Sequence, residues 1–98
     1  MYDIKLTKQA EKDAVLIDRA GLKPKAAELI SIIRVNPFQS PPLYKELQGK
    51  RQGSYSRRTN QQHRFVYQVI QNTDNLKDEN GELFEGIVKI IRMWTHYE

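Results

Sequence analysis

Three arginines crowd one short span of the chain. Arg57 and Arg58 precede the turn-forming stretch Asn60-Gln61-Gln62, and Arg64 follows it. If strands flank that turn, the chain doubles back and Arg58 and Arg64 come side by side. Like charges held together cost energy unless an anion sits between them, and the planar fork of a guanidinium matches a phosphate. The competing reading is that the three splay into water or pair with the acids at 78–85. The surroundings favour the anion. Residues 45–64 hold Lys45, Lys50, Arg51, Arg57, Arg58 and Arg64, with Glu46 as the only carboxylate, a local charge of +5. The rest of the chain sums to −1, so the basic character is local. A basic patch on a small domain favours a polyanionic partner, usually nucleic acid.

Groups that could move a proton lie in or near the same region. Glu46 is either a solvated loop glutamate or a general base, kept ionised by the cations around it. His96 stands in Trp94-Thr95-His96-Tyr97-Glu98. An imidazole with its ordinary pKa of about 6.5 can give or take a proton near neutral pH, although a terminal histidine by itself is usually incidental. His63, beside Arg64, reads as a hydrogen-bonding turn residue. Neither histidine has a partner at metal-ligand spacing. Tyr44, Tyr55, Tyr67, Tyr97 and Trp94 offer ring faces on which bases could stack, at roughly 1–3 kcal/mol per base. Tyr67 is equally suited to a core position.

The elements that must position these groups follow from periodicity and turn chemistry. Tyr2 to Leu6 alternates and reads as a short strand. Thr7 caps a helix over 8–20 with Ala10, Ala14 and Ile17 near one face, and Gly21 ends it. Pro24 opens a second helix that runs to about Val35, where Asn36-Pro37 stops it. The two helices form an antiparallel hairpin. Residues 37–53, rich in proline and glycine, read as a loop with one helical turn near Tyr44 to Leu47. Ser54 to Thr59, Arg64 to Ile70 and Gly86 to Trp94 read as an antiparallel strand meander. Residues 71–86, with the turn signal Asn80-Gly81, read as a long hairpin loop. The sum is a single α+β domain over 1–98, with the N-terminal strand and the helical hairpin packed on one face of a twisted antiparallel sheet.

Composition narrows the function classes. Ninety-eight residues support one modest core. The chain has no cysteine, which excludes disulfides, thiolate zinc sites and cysteine nucleophiles. No apolar run approaches the roughly 18 residues of a transmembrane helix. The N-terminus shows no secretory pattern. The cytoplasm is the default expectation.

The residues also carry a resemblance. Tyr55-Ser56-Arg57-Arg58, then Gln62-His63-Arg64-Phe65-Val66-Tyr67, resembles the Txe/YoeB family of bacterial toxins within the RelE/ParE-like group. Asn36-Pro37-Phe38 after a helical hairpin and the ending Ile91-Arg92-Met93-Trp94-Thr95-His96-Tyr97-Glu98 match as well. The similarity spans nearly the whole chain. It implies a RelE/YoeB-like fold and a ribosome-dependent messenger RNA endonuclease that inhibits translation and uses neither metal nor cofactor. It also implies a cognate YefM/Axe-like antitoxin that holds the toxin silent, and a homodimer within the toxin–antitoxin complex. Carried over by position, Arg58 and Arg64 stabilise charge on the phosphate, His96 donates a proton to the leaving 5′-oxygen, and Tyr97 completes the C-terminal pair. Glu46 is the candidate base that takes the ribose 2′-hydroxyl proton. Lys45, Lys50, Arg51 and Arg57 complete the RNA- or phosphate-binding set.

One position departs from the family. Its members usually carry a glutamate just after the tyrosine or proline of the preceding loop, as in Tyr-Glu-Lys-Leu. Here the run is Tyr44-Lys45-Glu46-Leu47. Counting back from Ser56-Arg57-Arg58 puts Lys45 at the glutamate position and displaces Glu46 by one residue. Either the loop shifts so that Glu46 still reaches the site, or the base is lost and Lys45 only binds phosphate. Two other functions compete with the endonuclease. A non-catalytic RNA- or ribosome-binding module would use the same patch. A RelE/ParE-like toxin with a protein target such as gyrase would not need Glu46, Arg64 and His96 together.

Overall fold

The computed structural model describes residues 1–49, 53–60 and 63–94 of the chain. The order is β1 (Tyr2–Leu6), α1 (Lys8–Arg19), α2 (Lys23–Val35), β2 (Tyr44–Glu46), β3 (Ser54–Arg58), β4 (Arg64–Gln71) and β5 (Gly86–Arg92).

Local chemistry sets the helix boundaries. The Thr7 hydroxyl accepts from the Ala10 backbone N–H at 3.0 Å and donates to the Ile91 carbonyl at 3.0 Å, so one side chain caps α1 and ties it to β5. At the other end Gly21, at φ +74°, lets the Leu22 N–H return to the Ile17 carbonyl. Pro24 lies in the first turn of α2, and Asn36 leaves the helix in extended conformation ahead of Pro37.

The strands form one sheet in the order β1-β5-β4-β3-β2. β2, β3, β4 and β5 pair antiparallel in turn, and β3 to β5 form the expected meander. β1 pairs with β5 in parallel, so the sheet is mixed rather than wholly antiparallel. The reason is connectivity. β1 reaches the rest of the sheet only through the helical hairpin, and a long connection permits parallel pairing where a tight turn does not. β5 starts at Gly86, where an added Cβ would lie 2.9 Å from the Ile70 carbonyl oxygen and 3.0 Å from the Tyr2 ring.

The helices cover one face. Ala10, Ile17, Ala26, Leu29 and Ile33 bury against Phe65, Tyr67, Val88 and Ile90. The 72–85 connection is held by Asn72, whose amide donates to the carbonyls of Leu76 and Phe84 and accepts from the Leu76 N–H. Its tip turns at Gly81, φ +80°. No helix among the described residues is long and apolar enough to cross a membrane.

The larger departure from the sequence reading lies at 44–46. A helical turn was expected there, and the segment is instead an edge strand. It pairs Tyr44 with Arg57, Lys45 with Ser56 and Glu46 with Tyr55, and the Leu47 N–H extends the ladder to the Ser54 carbonyl. Three residues are too few for a period-2 pattern to show, and it is pairing with β3 that fixes them. The difference decides what the site contains. On a helical turn neighbours point about 100° apart, whereas on a strand they point to opposite faces.

Candidate functional site

The β3–β4 hairpin delivers two of the expected cations to one place. Arg58 and Arg64 are directly opposed across the strand pair, as are Ser56 and Val66. Residues opposed across a ladder share a face, and alternation places Ser56, Arg58 and Arg64 together on the face away from the helices. β2 adds Lys45, opposite Ser56. With Pro42, Leu43 and Tyr44 these residues line an open pocket of about 450 Å³. Arg64 is half-buried, and its guanidinium donates to the Ser56 hydroxyl at 3.2 Å. Arg58 and Lys45 are exposed. Three cations thus converge on a pocket whose lining, among the described residues, contains no carboxylate. Such a site suits a phosphate.

Glu46 is not part of it. Its strand position puts it on the opposite face from Lys45, level with Tyr55. The pleat that brings Lys45 to the pocket turns Glu46 away. The expectation of Glu46 as general base is therefore corrected on the geometry of β2.

Arg57 is corrected too. It was expected to bind phosphate, yet it is 0% exposed. The residue shares the helix-facing side with Phe65, its partner across the ladder. Its Nε donates to the Tyr67 hydroxyl at 3.1 Å, and its two terminal nitrogens donate to the Pro42 and Pro37 carbonyls. The guanidinium lies 5.0 Å from the centre of the Tyr44 ring. Burial pushes the Tyr67 phenol above its ordinary pKa despite the neighbouring Arg57 charge. It therefore stays protonated and donates to the Pro37 carbonyl at 2.7 Å. Arg57 and Tyr67 together pin the 37–42 loop to the sheet, which fixes one wall of the pocket. Tyr67 belongs to the core. Tyr55 packs edge-on against Phe38 at 5.1 Å and against Tyr44 at 5.9 Å.

Lys50, Arg51, His96 and Tyr97 lie outside the described residues. The structure does show what leads to the C-terminal pair. The Trp94 ring stacks on His63, 3.7 Å between centroids and 22° from parallel. His63 is built into the turn before Arg64, with its backbone N–H on the Asn60 side-chain oxygen at 2.7 Å. Among the described residues no group of three or more His, Asp or Glu is placed to hold a metal ion.

Asp13 was not singled out from the sequence. It is 1% exposed on α1. One carboxylate oxygen accepts from Arg92 Nε at 2.8 Å and from the backbone N–H groups of Met93 and Trp94 at 2.9 and 3.2 Å. The other accepts from the Gln9 amide at 3.0 Å. Burial opposes its ionisation, but bonds from Arg92, Met93, Gln9 and Trp94 outweigh burial and hold its pKa below the usual carboxylate value. The signal was available, because Asp13 lies three residues after Ala10 and four before Ile17, on the apolar stripe of α1. A depressed folded-state pKa stabilises above the unfolded-state value and is lost as pH falls through the folded one. Stability is therefore expected to drop on acidification below about pH 4, and Asp13→Asn should flatten that part of a urea-midpoint profile against pH.

Comparison with known proteins fits this geometry. A family model described as the YoeB-like toxin of bacterial type II toxin–antitoxin systems matches residues 7–97. The chain belongs to the YoeB-like toxins. Among solved structures, a YoeB/ParE toxin from Agrobacterium tumefaciens shares 25% identity at a TM-score of 0.75, over 97% of this chain and 99% of that one. The toxin in a heterotetrameric YoeB–YefM complex from Staphylococcus aureus shares 26% identity at 0.69, over 99% of both chains. YafQ from E. coli, 17% identical at 0.71 over 98% of this chain and 94% of that one, shares the fold. No curated protein matches the chain. The RelE/YoeB-like α+β architecture expected from the YoeB resemblance is thus present.

Proposed function

We propose that this YoeB-like toxin is an endoribonuclease that cuts messenger RNA on the ribosome and so stops translation, working in the cytoplasm without metal. The observation that carries the reading is the opposed Arg58–Arg64 pair with Lys45 in one pocket. The ribose 2′-oxygen loses its proton and attacks the adjacent phosphorus. Arg64 and Arg58 stabilise the charge that builds on the phosphoryl oxygens. The bond from phosphorus to the 5′-oxygen breaks, His96 gives that oxygen its proton, and a 2′,3′-cyclic phosphate remains. With Glu46 on the other face, the 2′-hydroxyl proton passes to a water molecule of the open pocket. Tyr97 lies next to the acid in sequence, and Lys50 and Arg51 extend the positive surface for RNA.

The partner set follows the relatives. A Staphylococcus aureus YoeB is held in a complex with YefM, and a YoeB dimer from Staphylococcus aureus is known. An acidic, partly disordered antitoxin segment suits a cationic pocket that must be silenced, and a homodimer within that complex is expected.

Lys45, at the position where the family carries a carboxylate, favours a second reading: a toxin that grips RNA without cutting it. Primer extension on ribosome-bound message separates the two. Wild type is expected to cut. Glu46→Ala should stay within about threefold of wild type, whereas Lys45→Ala should weaken RNA binding, since a phosphate-facing cation is lost. Undiminished RNA binding with no cut would establish the binder.

A further inference from the structure

The pocket that gathers Lys45, Arg58 and Arg64 has room for more than an anion. At about 450 Å³ it falls in the range of roughly 300–1,000 Å³ that takes whole small molecules. The rest of its lining is Pro42, Leu43, Tyr44 and Ser56. The Ser56 hydroxyl is already bonded to Arg64. The Tyr44 ring is packed 6.1 Å from Phe38 and 5.9 Å from Tyr55, with the Arg57 guanidinium 5.0 Å from its centre. The rings that the sequence offered to bases at Tyr44 and Tyr55 are thus engaged with each other. Pro42 and Leu43 remain.

Leu43 is 81% exposed, more than any other large apolar side chain among the described residues. A lone exposed leucine is ordinary, but this one is held in place. The Pro42 carbonyl accepts from the buried Arg57, and Tyr44 is fixed in the ladder to β3. With both neighbours anchored, the backbone at Leu43 is set, and the side chain lines the cationic pocket rather than the core. It precedes Lys45 by two residues, the repeat that puts side chains on one side of a strand. Apolar surface beside a phosphate grip matches the two parts of a nucleotide. Leucine and proline are among the side chains that proteins set against the faces of bases, and burying apolar area supplies the attraction.

We infer that Pro42 and Leu43 form a base subsite, on which the base of a nucleotide lies while Arg58, Arg64 and Lys45 hold its phosphate. The inference rests on the proposed reading of this pocket as an RNA phosphate site and adds a base contact to it. Apolar side chains offer the base neither donor nor acceptor, so they tell a base from no base and leave the choice among bases to other groups.

The test uses the intact chain and two probes with the same phosphates, adenosine 3′,5′-bisphosphate and its abasic tetrahydrofuran counterpart. In NMR titrations wild type should bind the nucleotide about tenfold more tightly than the abasic compound, and the Leu43 methyl signals should shift with the nucleotide alone. Leu43→Ala should bring the two affinities within about twofold of each other by weakening only the nucleotide, because the apolar area that met the base is gone. Leu43→Met keeps that area and should keep the preference. Arg58→Ala should weaken both probes alike. Equal affinity of wild type for the two probes would overturn the subsite and leave the phosphate site standing. So would a preference that survives Leu43→Ala, or one that is lost in Leu43→Met. Failure of wild type to bind either probe would remove the phosphate site, and the subsite with it.

Discussion

Arg64→Ala should slow cutting of ribosome-bound message by about 10²–10³-fold, the usual cost of losing one preorganised donor to a developing anion. Affinity for the same RNA should fall far less. Arg64 is half-buried, and its guanidinium is already bonded to the Ser56 hydroxyl. A held donor needs little reorganisation when charge builds on the phosphate. Arg58, exposed on the opposing strand, is free to contribute to binding but less fixed in direction, so Arg58→Ala should shift its cost toward affinity. Single-turnover rates against RNA affinity check this. A parallel drop of rate and affinity in Arg64→Ala would remove the transition-state role from that residue.

Arg57→Ala should act on stability instead. Its guanidinium is fully buried and serves two backbone carbonyls and a phenol. Truncation strips donors from those groups, and each buried group left short of a partner costs about 1–3 kcal/mol. A loss of about 3 kcal/mol is expected, which for a domain of this size lowers Tm by on the order of 10–20 °C. Lysine is no substitute, since a single ammonium cannot serve the planar fork's three acceptors. The pocket wall at Pro42 and Leu43 should loosen, because Arg57 ties the 37–42 loop to the sheet. Calorimetry with RNA binding measured well below Tm distinguishes the roles. Wild-type Tm with weakened RNA binding would return Arg57 to the phosphate-contacting set.

Arg57 and Glu46 show where residue type misleads. From sequence, Arg57 is one cation in a basic run; only the parity of β3 tells that it faces the helices while Arg58 faces the pocket. The strand was legible, and the face was not, because no apolar alternation in Ser54–Arg58 marks the inner side. Glu46 failed for a related reason. A three-residue edge strand owes its existence to its partner, so local reading could not fix its pleat. What was legible had strong local chemistry. The Thr7 cap, the Gly21 stop, the Asn36-Pro37 boundary and the β-rich Arg64 to Ile70 run each specify structure within a few residues. The parallel β1–β5 pairing and the Asp13 clamp join residues about eighty positions apart, and nothing local encodes such contacts. The apolar stripe on α1 nevertheless held the hint, since a carboxylate between Ala10 and Ile17 must find donors once it is buried.

The most direct test of the central claim is chemical. Ribosomes are programmed with a message that carries a 2′-O-methyl group at the nucleotide where wild type cuts, beside the unmodified message. The unmodified message should be cut and leave a 2′,3′-cyclic phosphate, and the 2′-O-methyl message should stay whole, because its oxygen has no proton to lose and cannot attack. Cutting of the 2′-O-methyl message at the same bond, or a wild-type protein that leaves both messages intact, would contradict the account.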